Sequence, residues 1–241
     1  MKVPAGNTLL SRIGNLAVVA LVVAGCQTVG LDRTETITGK WEGELARFAA
    51  EDASAKPKQG GILLVGSSSF RLWTNASAAL PEHRVINRGF GGSQMHDLLA
   101  LTDRLVWPYA PHEILVYEGD NDLVQGVPPS EIAKEFRKFA HRVHRRLPEA
   151  RIRFVSIKPS PSRAHLMAKA AAANEEIKHY CTSRPWLRYC DVFTPMLNAE
   201  GNPRKELFAA DNLHLNREGY TLWTAVIRRD LGLDPLTTGL K

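Results

Sequence analysis

The sequence predicts an α/β fold, a three-layer α/β/α sandwich with a mainly parallel five-stranded sheet, and three observations predict it. Short β-rich runs alternate with helical patterns from about Trp41 onward, and such alternation is what a parallel sheet covered by helices requires. The run Ile62-Leu63-Leu64-Val65 is continuously apolar, as a central strand buried on both faces should be. The 241 residues, 44% hydrophobic and 23% charged, suffice for one sizeable core and make a single folded domain the default.

Taken in order, strands are expected at residues 62–65, 84–87, 113–117, 152–157 and 187–192. The clearest helix follows Pro128-Pro129, with Ser130 as the expected N-cap and Ile132, Phe136, Phe139, Val143 and Leu147 on one stripe. Pro148 ends it. Its other face carries Arg137, Lys138, Arg142, Arg145 and Arg146, a basic cluster that reads as a solvated face or as one leaning on anionic headgroups. Further helices are expected at about 164–180 and 217–231. The tryptophans, Trp41, Trp73, Trp107, Trp186 and Trp223, read either as core residues or as the lining of an apolar pocket.

Before the folded domain, Lys2 and Arg12 precede an apolar run from residue 16 to residue 24. That run is far shorter than the roughly 20 residues needed to cross a bilayer, so a signal peptide is expected over residues 1–25. It ends in Val23-Ala24-Gly25-Cys26, which resembles a bacterial lipoprotein signal, with Cys26 lipidated and a flexible tether over residues 26–40. The resemblance implies a cell-envelope, membrane-anchored protein. Gln27 after the cysteine implies the outer membrane, facing the periplasm, in a Gram-negative source. The folded domain is expected over residues 41–241.

Formal net charge is +6; removing Lys2 and Arg12 leaves 29 basic against 25 acidic side chains. This mild excess falls well short of a nucleic-acid-binding stripe, and no nucleic-acid partner is expected. Cys181 and Cys190 either pair across a short loop in an oxidising compartment or lie buried as free thiols. Two cysteines without histidines at ligand spacing do not make a zinc site, and no metal is expected.

Four segments carry chemistry. Gly66-Ser67-Ser68-Ser69 stands at the end of the first strand, where open α/β sheets build their sites; the competing reading is a helix cap. Asp211-Asn212-Leu213-His214 puts a carboxylate and an imidazole on one side of a turn, so Asp211 can accept from Nδ1 and leave Nε2 for substrate. Histidine suits a base because its ordinary pKa lies near 6.5. Gly89-Phe90-Gly91-Gly92-Ser93 and Gly119-Asp120-Asn121-Asp122 follow the second and third strands, and each also reads as a turn. Together they offer a Gly92 N–H and an Asn121 amide to a developing oxyanion.

In this chain order the four segments resemble those of the SGNH, or GDSL-type, hydrolase superfamily, over about residues 61 to 225. The resemblance implies an SGNH, flavodoxin-like fold. It implies Ser68 as nucleophile, Asp211 and His214 as the rest of a triad, and an oxyanion hole from Ser68, Gly92 and Asn121. Ser67 stands where the family usually has Asp, so the triple serine leaves alignment on Gly66 to choose Ser68. The strings around Ser68, Asn121 and Ile157-Lys158-Pro159-Ser160-Pro161-Ser162 resemble a bacterial lysophospholipase-like, acylhydrolase branch. The α/β-hydrolase Gly-x-Ser-x-Gly pattern is absent.

The expected activity is hydrolysis of carboxylic esters, small-molecule, lipid or glycan, through an acyl-enzyme and without a cofactor. The same triad would serve a carbohydrate O-acetyltransferase or deacetylase. A non-catalytic envelope lipoprotein that binds glycan or lipid is the alternative from another class.

Overall fold

A computed structural model describes residues 24–55 and 57–236, with side chains from residue 36. The expected signal peptide, apart from its last two positions, lies outside the described residues, and so does the side chain of Cys26. The chain divides into two units, Met1–Lys40 and Trp41–Lys241.

Helix α1 spans Ala24–Ser54, so residues 26–40, expected as a flexible tether, are helical. The tether was expected because these residues lack an apolar stripe, yet a helix needs no stripe to propagate once part of it is anchored. In the second unit, Trp41, Leu45 and Phe48 fall at helical spacing and are buried. No proline interrupts residues 24–54. Among the described residues, no helix is long and apolar enough to cross a membrane.

Five parallel strands form one sheet: β1 (Ile62–Gly66), β2 (Val85–Gly89), β3 (Glu113–Tyr117), β4 (Arg151–Val155) and β5 (Leu187–Cys190), in the order β2-β1-β3-β4-β5. All five expected strands are present, with ends moved by one or two residues. Strand β1 is buried throughout. Its neighbours β2 and β3 follow it on opposite sides, so their connections diverge at the carboxyl ends and open the crevice in which such sheets place their sites.

Alternation along the strands sorts the core into two layers. Ile62, Leu64, Leu115, Tyr117 and Cys190 pack with Phe70, Trp73 and Trp223 beneath helix α7 (Arg217–Asp230). On the other face Phe154 meets Phe136 edge-on, ring centroids 4.9 Å apart, on helix α5 (Pro129–Arg146), which packs beside α6 (Met167–Thr182).

The stripe expected on α5 is buried at Ile132, Phe136, Phe139 and Val143. Its N-cap, however, is Pro128 rather than Ser130. Pro129 favours the first helical position and forces the residue before it into an extended conformation, which moves the start back. On the basic face Arg137 pairs with Glu176 and Arg142 with Asp103, while Lys138 and Arg145 stay exposed. The helix expected at 164–180 begins later, because a 3₁₀ segment, Pro161–Leu166, precedes α6.

Cys181 and Cys190 are free and buried. Cys190 belongs to the core under α7, whereas Cys181 sits on α6, which packs on α5; they do not pair. Burial pushes both thiols up to about 12.

Candidate active site

The site is assembled at the carboxyl edge of the sheet. Strand β1 ends at Gly66, whose φ is +130°. A Cβ there would come within 2.0 Å of the Tyr117 carbonyl oxygen on β3, so only glycine lets the chain turn so close to its neighbour. Ser67 then donates its N–H to that same carbonyl, at 3.0 Å, and the short helix α2 (Ser68–Arg71) begins.

The turn sorts the triple serine. Ser67 is 2% exposed and Ser69 1% exposed, while Ser68, between them, is half-buried and reaches the crevice. Two side chains hold the turn in place. Tyr220 of α7 donates its hydroxyl hydrogen to the Ser69 carbonyl at 2.8 Å. The Asn87 amide donates to the Phe70 carbonyl at 2.7 Å and accepts from the Gly89 N–H at 2.9 Å. Neither Asn87 nor Tyr220 is legible as a site residue in the sequence, since both reach residues far away in the chain.

Asp211 and His214 arrive on a tight loop before α7. Asn212 adopts φ +55°, a left-handed conformation that asparagine tolerates better than most residues, and the Ala209 N–H closes the loop on the His214 carbonyl at 2.8 Å. Asp211 Oδ1 accepts the backbone N–H groups of Leu213 and His214, both at 2.9 Å, and its Oδ2 lies 2.5 Å from His214 Nδ1. The His214 and Leu213 N–H groups, with the imidazole, hold the Asp211 carboxyl down at about 2. With Nδ1 turned to Asp211, His214 Nε2 faces Ser68 Oγ at 3.1 Å. Asp211, His214 and Ser68 thus form one hydrogen-bonded chain across 143 residues of sequence or more.

Two more elements complete the rim. Gly92, at φ +87°, is exposed with open space where a side chain would stand. Asn121, in the short helix α4 (Asp120–Val124), donates its amide to the Ser93 carbonyl at 2.9 Å. Ser93 Oγ donates to Glu118 at 2.6 Å, and Asp122 accepts the Met95 N–H, at the start of helix α3 (Met95–Ala100), at 3.0 Å. The glycine loop is therefore strapped to the segment after β3 at three points. Burial, reinforced by Asp122, pushes the Glu118 carboxyl well above the ordinary carboxylate range. Burial likewise raises Asp122 to about 6, against the Met95 N–H.

Beside this rim lies a cleft of about 380 Å³, lined by Val124, Ser162, Arg163, Leu166, Asp211 and Leu213 among others. None of the tryptophans lines it. Trp41, Trp73 and Trp223 are core residues, and the half-buried Trp107 and Trp186 are engaged by Asp103 and by a stacked His144. Among the described residues, the one group able to bring three ligand atoms within 4.8 Å is His96, Asp122 and Glu135. There Asp122 already accepts a backbone N–H and His96 lies 3.3 Å from Asp97.

A model of the GDSL-like lipase/acylhydrolase family matches residues 60–222. The chain belongs to that family. Solved SGNH structures share its fold. A structure described as a platelet activating factor from Streptococcus pneumonia superposes with TM-score 0.68 at 22% identity, over 88% of this chain and 99% of its own. A structure described as an acylhydrolase from Bacteroides fragilis gives 0.67 at 16% identity, over 78% and 95%. An acetylxylan esterase from Geobacillus stearothermophilus gives 0.62 at 14% identity, over 74% and 96%. No curated protein sequence matches the chain. The sheet order and parallel pairing bear out the fold expected from the sequence, and family membership makes the chain an acylhydrolase-type hydrolase.

Proposed function

We propose that this SGNH hydrolase cleaves carboxylic esters with Ser68 as nucleophile. The observation that carries the reading is the hydrogen-bonded chain from Asp211 through His214 to Ser68 Oγ, 2.5 and 3.1 Å long. His214 Nε2 accepts the Ser68 proton as Oγ attacks the ester carbonyl, and Asp211, ionised at any pH near neutrality, stabilises the imidazolium that results. The carbonyl oxygen becomes an oxyanion between the Ser68 N–H, the Gly92 N–H and the Asn121 amide. Collapse expels the alcohol, protonated by His214, and leaves an acyl-serine. Water deprotonated by His214 then attacks the acyl-serine, regenerating the free serine and releasing the acid.

Glycan acetyl esters are the second reading, favoured by the likeness in fold to an acetylxylan esterase. Transfer of the acyl group to a sugar hydroxyl would use the same intermediate. A p-nitrophenyl ester series from acetate to palmitate, run on wild type and Ser68→Ala with and without saccharide acceptors, tests both. Turnover that depends on Ser68 and not on acceptor supports hydrolysis, and acceptor-dependent ester formation supports transfer. Undiminished turnover by Ser68→Ala refutes both.

The reading also places the enzyme on the cell envelope, lipidated at Cys26. Its support is the basic start, short apolar run and small-small-cysteine ending of the leader. Loss of membrane fractionation in Cys26→Ala tests it.

A further inference from the structure

The segment after β4, Lys158-Pro159-Ser160-Pro161-Ser162-Arg163, stands out in the sequence but has no part in the triad. The structure clamps it firmly. Asn174 on α6 accepts the Ile157 N–H at 2.8 Å and donates to the Ile157 carbonyl at 3.0 Å. Ser156 Oγ accepts the N–H groups of Val192 and Phe193, both at 2.9 Å. Further on, the Ser162 N–H donates to the Asn212 carbonyl, within the Asp211–His214 loop, at 3.0 Å.

So held, the segment delivers two cations to one buried carboxylate. Lys158, 3% exposed, places Nζ 2.8 Å from Asp120 Oδ2 and donates to the Tyr117 hydroxyl at 3.3 Å. Arg163 places Nη1 2.6 Å from Asp120 Oδ1. Burial opposes ionisation of Asp120, but the Lys158 and Arg163 charges overcome it and hold the carboxyl below its ordinary value. The other arm of the Arg163 fork, Nη2, donates to Asn121 Oδ1 at 3.2 Å.

An asparagine amide can turn over by 180° at little steric cost, because its oxygen and nitrogen are nearly the same size. Turned over, Asn121 would present an acceptor where an oxyanion needs a donor. Two contacts specify the orientation from opposite ends: the Ser93 carbonyl takes one Nδ2 hydrogen, and Arg163 occupies Oδ1. The second Nδ2 hydrogen is left for substrate. A guanidinium donating to Oδ1 also polarises the amide and strengthens its N–H donors. Lysine would not substitute, because a point ammonium lacks a planar fork that reaches Asp120 and Asn121 together.

We propose that Arg163, braced by the buried Asp120–Lys158 pair, is a positioning residue that fixes and polarises the Asn121 amide as an oxyanion donor. The proposal rests on the reading of Asn121 given above.

The test is a double-mutant cycle on p-nitrophenyl acetate, with kcat and KM measured for wild type, Arg163→Gln, Asn121→Ala and the double variant, and melting followed for each. Arg163→Gln should lose up to about 10²-fold in kcat, the scale of a misplaced catalytic group, with KM changed less than about threefold. In the Asn121→Ala background the same substitution should cost no further kcat. A residue that only supports the fold would lower kcat by the same factor in both backgrounds, and that result would overturn the proposal. So would wild-type kcat in folded Arg163→Gln alongside an impaired Asn121→Ala. If Arg163→Gln does not fold, Arg163→Lys decides: it retains a charge for Asp120 but not the fork, so reduced kcat in the wild-type background alone supports the proposal and full kcat overturns it. Full activity in Asn121→Ala or Ser68→Ala would instead overturn the reading of the site on which the proposal rests.

Discussion

At Ser68, three features of single residues converge: a side chain that reaches the crevice between two buried serines, an imidazole nitrogen 3.1 Å away, and a carboxylate on the far side of that imidazole. Removing the carboxylate charge should be costly although Asp211 is exposed. Asp211→Asn can donate to Nδ1 and so favour the wrong tautomer, with kcat expected to fall on the order of 10⁴-fold, as in triads generally, while the fold is kept; steady-state kinetics and a melt check this. Asn121→Ala should lose about 10² to 10³ in kcat and stay folded. The types and chain order of these residues were legible in the sequence. The choice among three adjacent serines was not legible from spacing, because burial decides it, and burial depends on how Tyr117 and Tyr220 hold the turn.

Elements place these residues, and glycine sets how closely they approach. Gly66→Ala would drive a Cβ to 2.0 Å from the Tyr117 carbonyl at a φ of +130°. A loss of about 3 kcal/mol, or roughly 10 °C in Tm, is expected by thermal unfolding, with activity lost beyond what the melt explains. Gly92→Ala meets open space but at a φ of +87° that strains any side chain, so about 1 kcal/mol of stability should be lost in a melt, and kcat should fall as the backbone N–H turns away. Strands were legible because both sheet faces are covered, which makes β1 and β3 continuous apolar runs. The start of α5 and the helicity of residues 26–40 differ from what the sequence predicts, for opposite reasons. At α5 proline chemistry outweighs a serine cap, and at α1 a helix runs through residues that carry no apolar stripe.

Burial raises carboxylates at both ends of β3, Glu113 at its start and Glu118 and Asp122 beneath the glycine loop. Asp122, raised to about 6 by burial, binds a proton more tightly folded than unfolded, so folding stability should fall as pH rises from about 4 to 6. Glu118 and His96 are also raised, by burial and by Asp97 respectively, and act in the same direction. Asp211, held at about 2, acts oppositely, its contribution being lost as pH falls from about 4 toward 2. Denaturant titrations from pH 4 to 7 should therefore show a shallower decline for Asp122→Asn than for wild type; parallel curves would contradict the assignment. Such couplings were invisible in sequence, because Asp97, Glu118 and Asp122 meet only when the loops after β2 and β3 pack together.

Fluorophosphonate labelling of the folded protein, followed by peptide mapping, tests most directly whether this architecture activates one serine. Stoichiometric modification at Ser68, abolished in His214→Ala, is the expected result. Modification at Ser67 or Ser69, or none in protein that is folded, would contradict it.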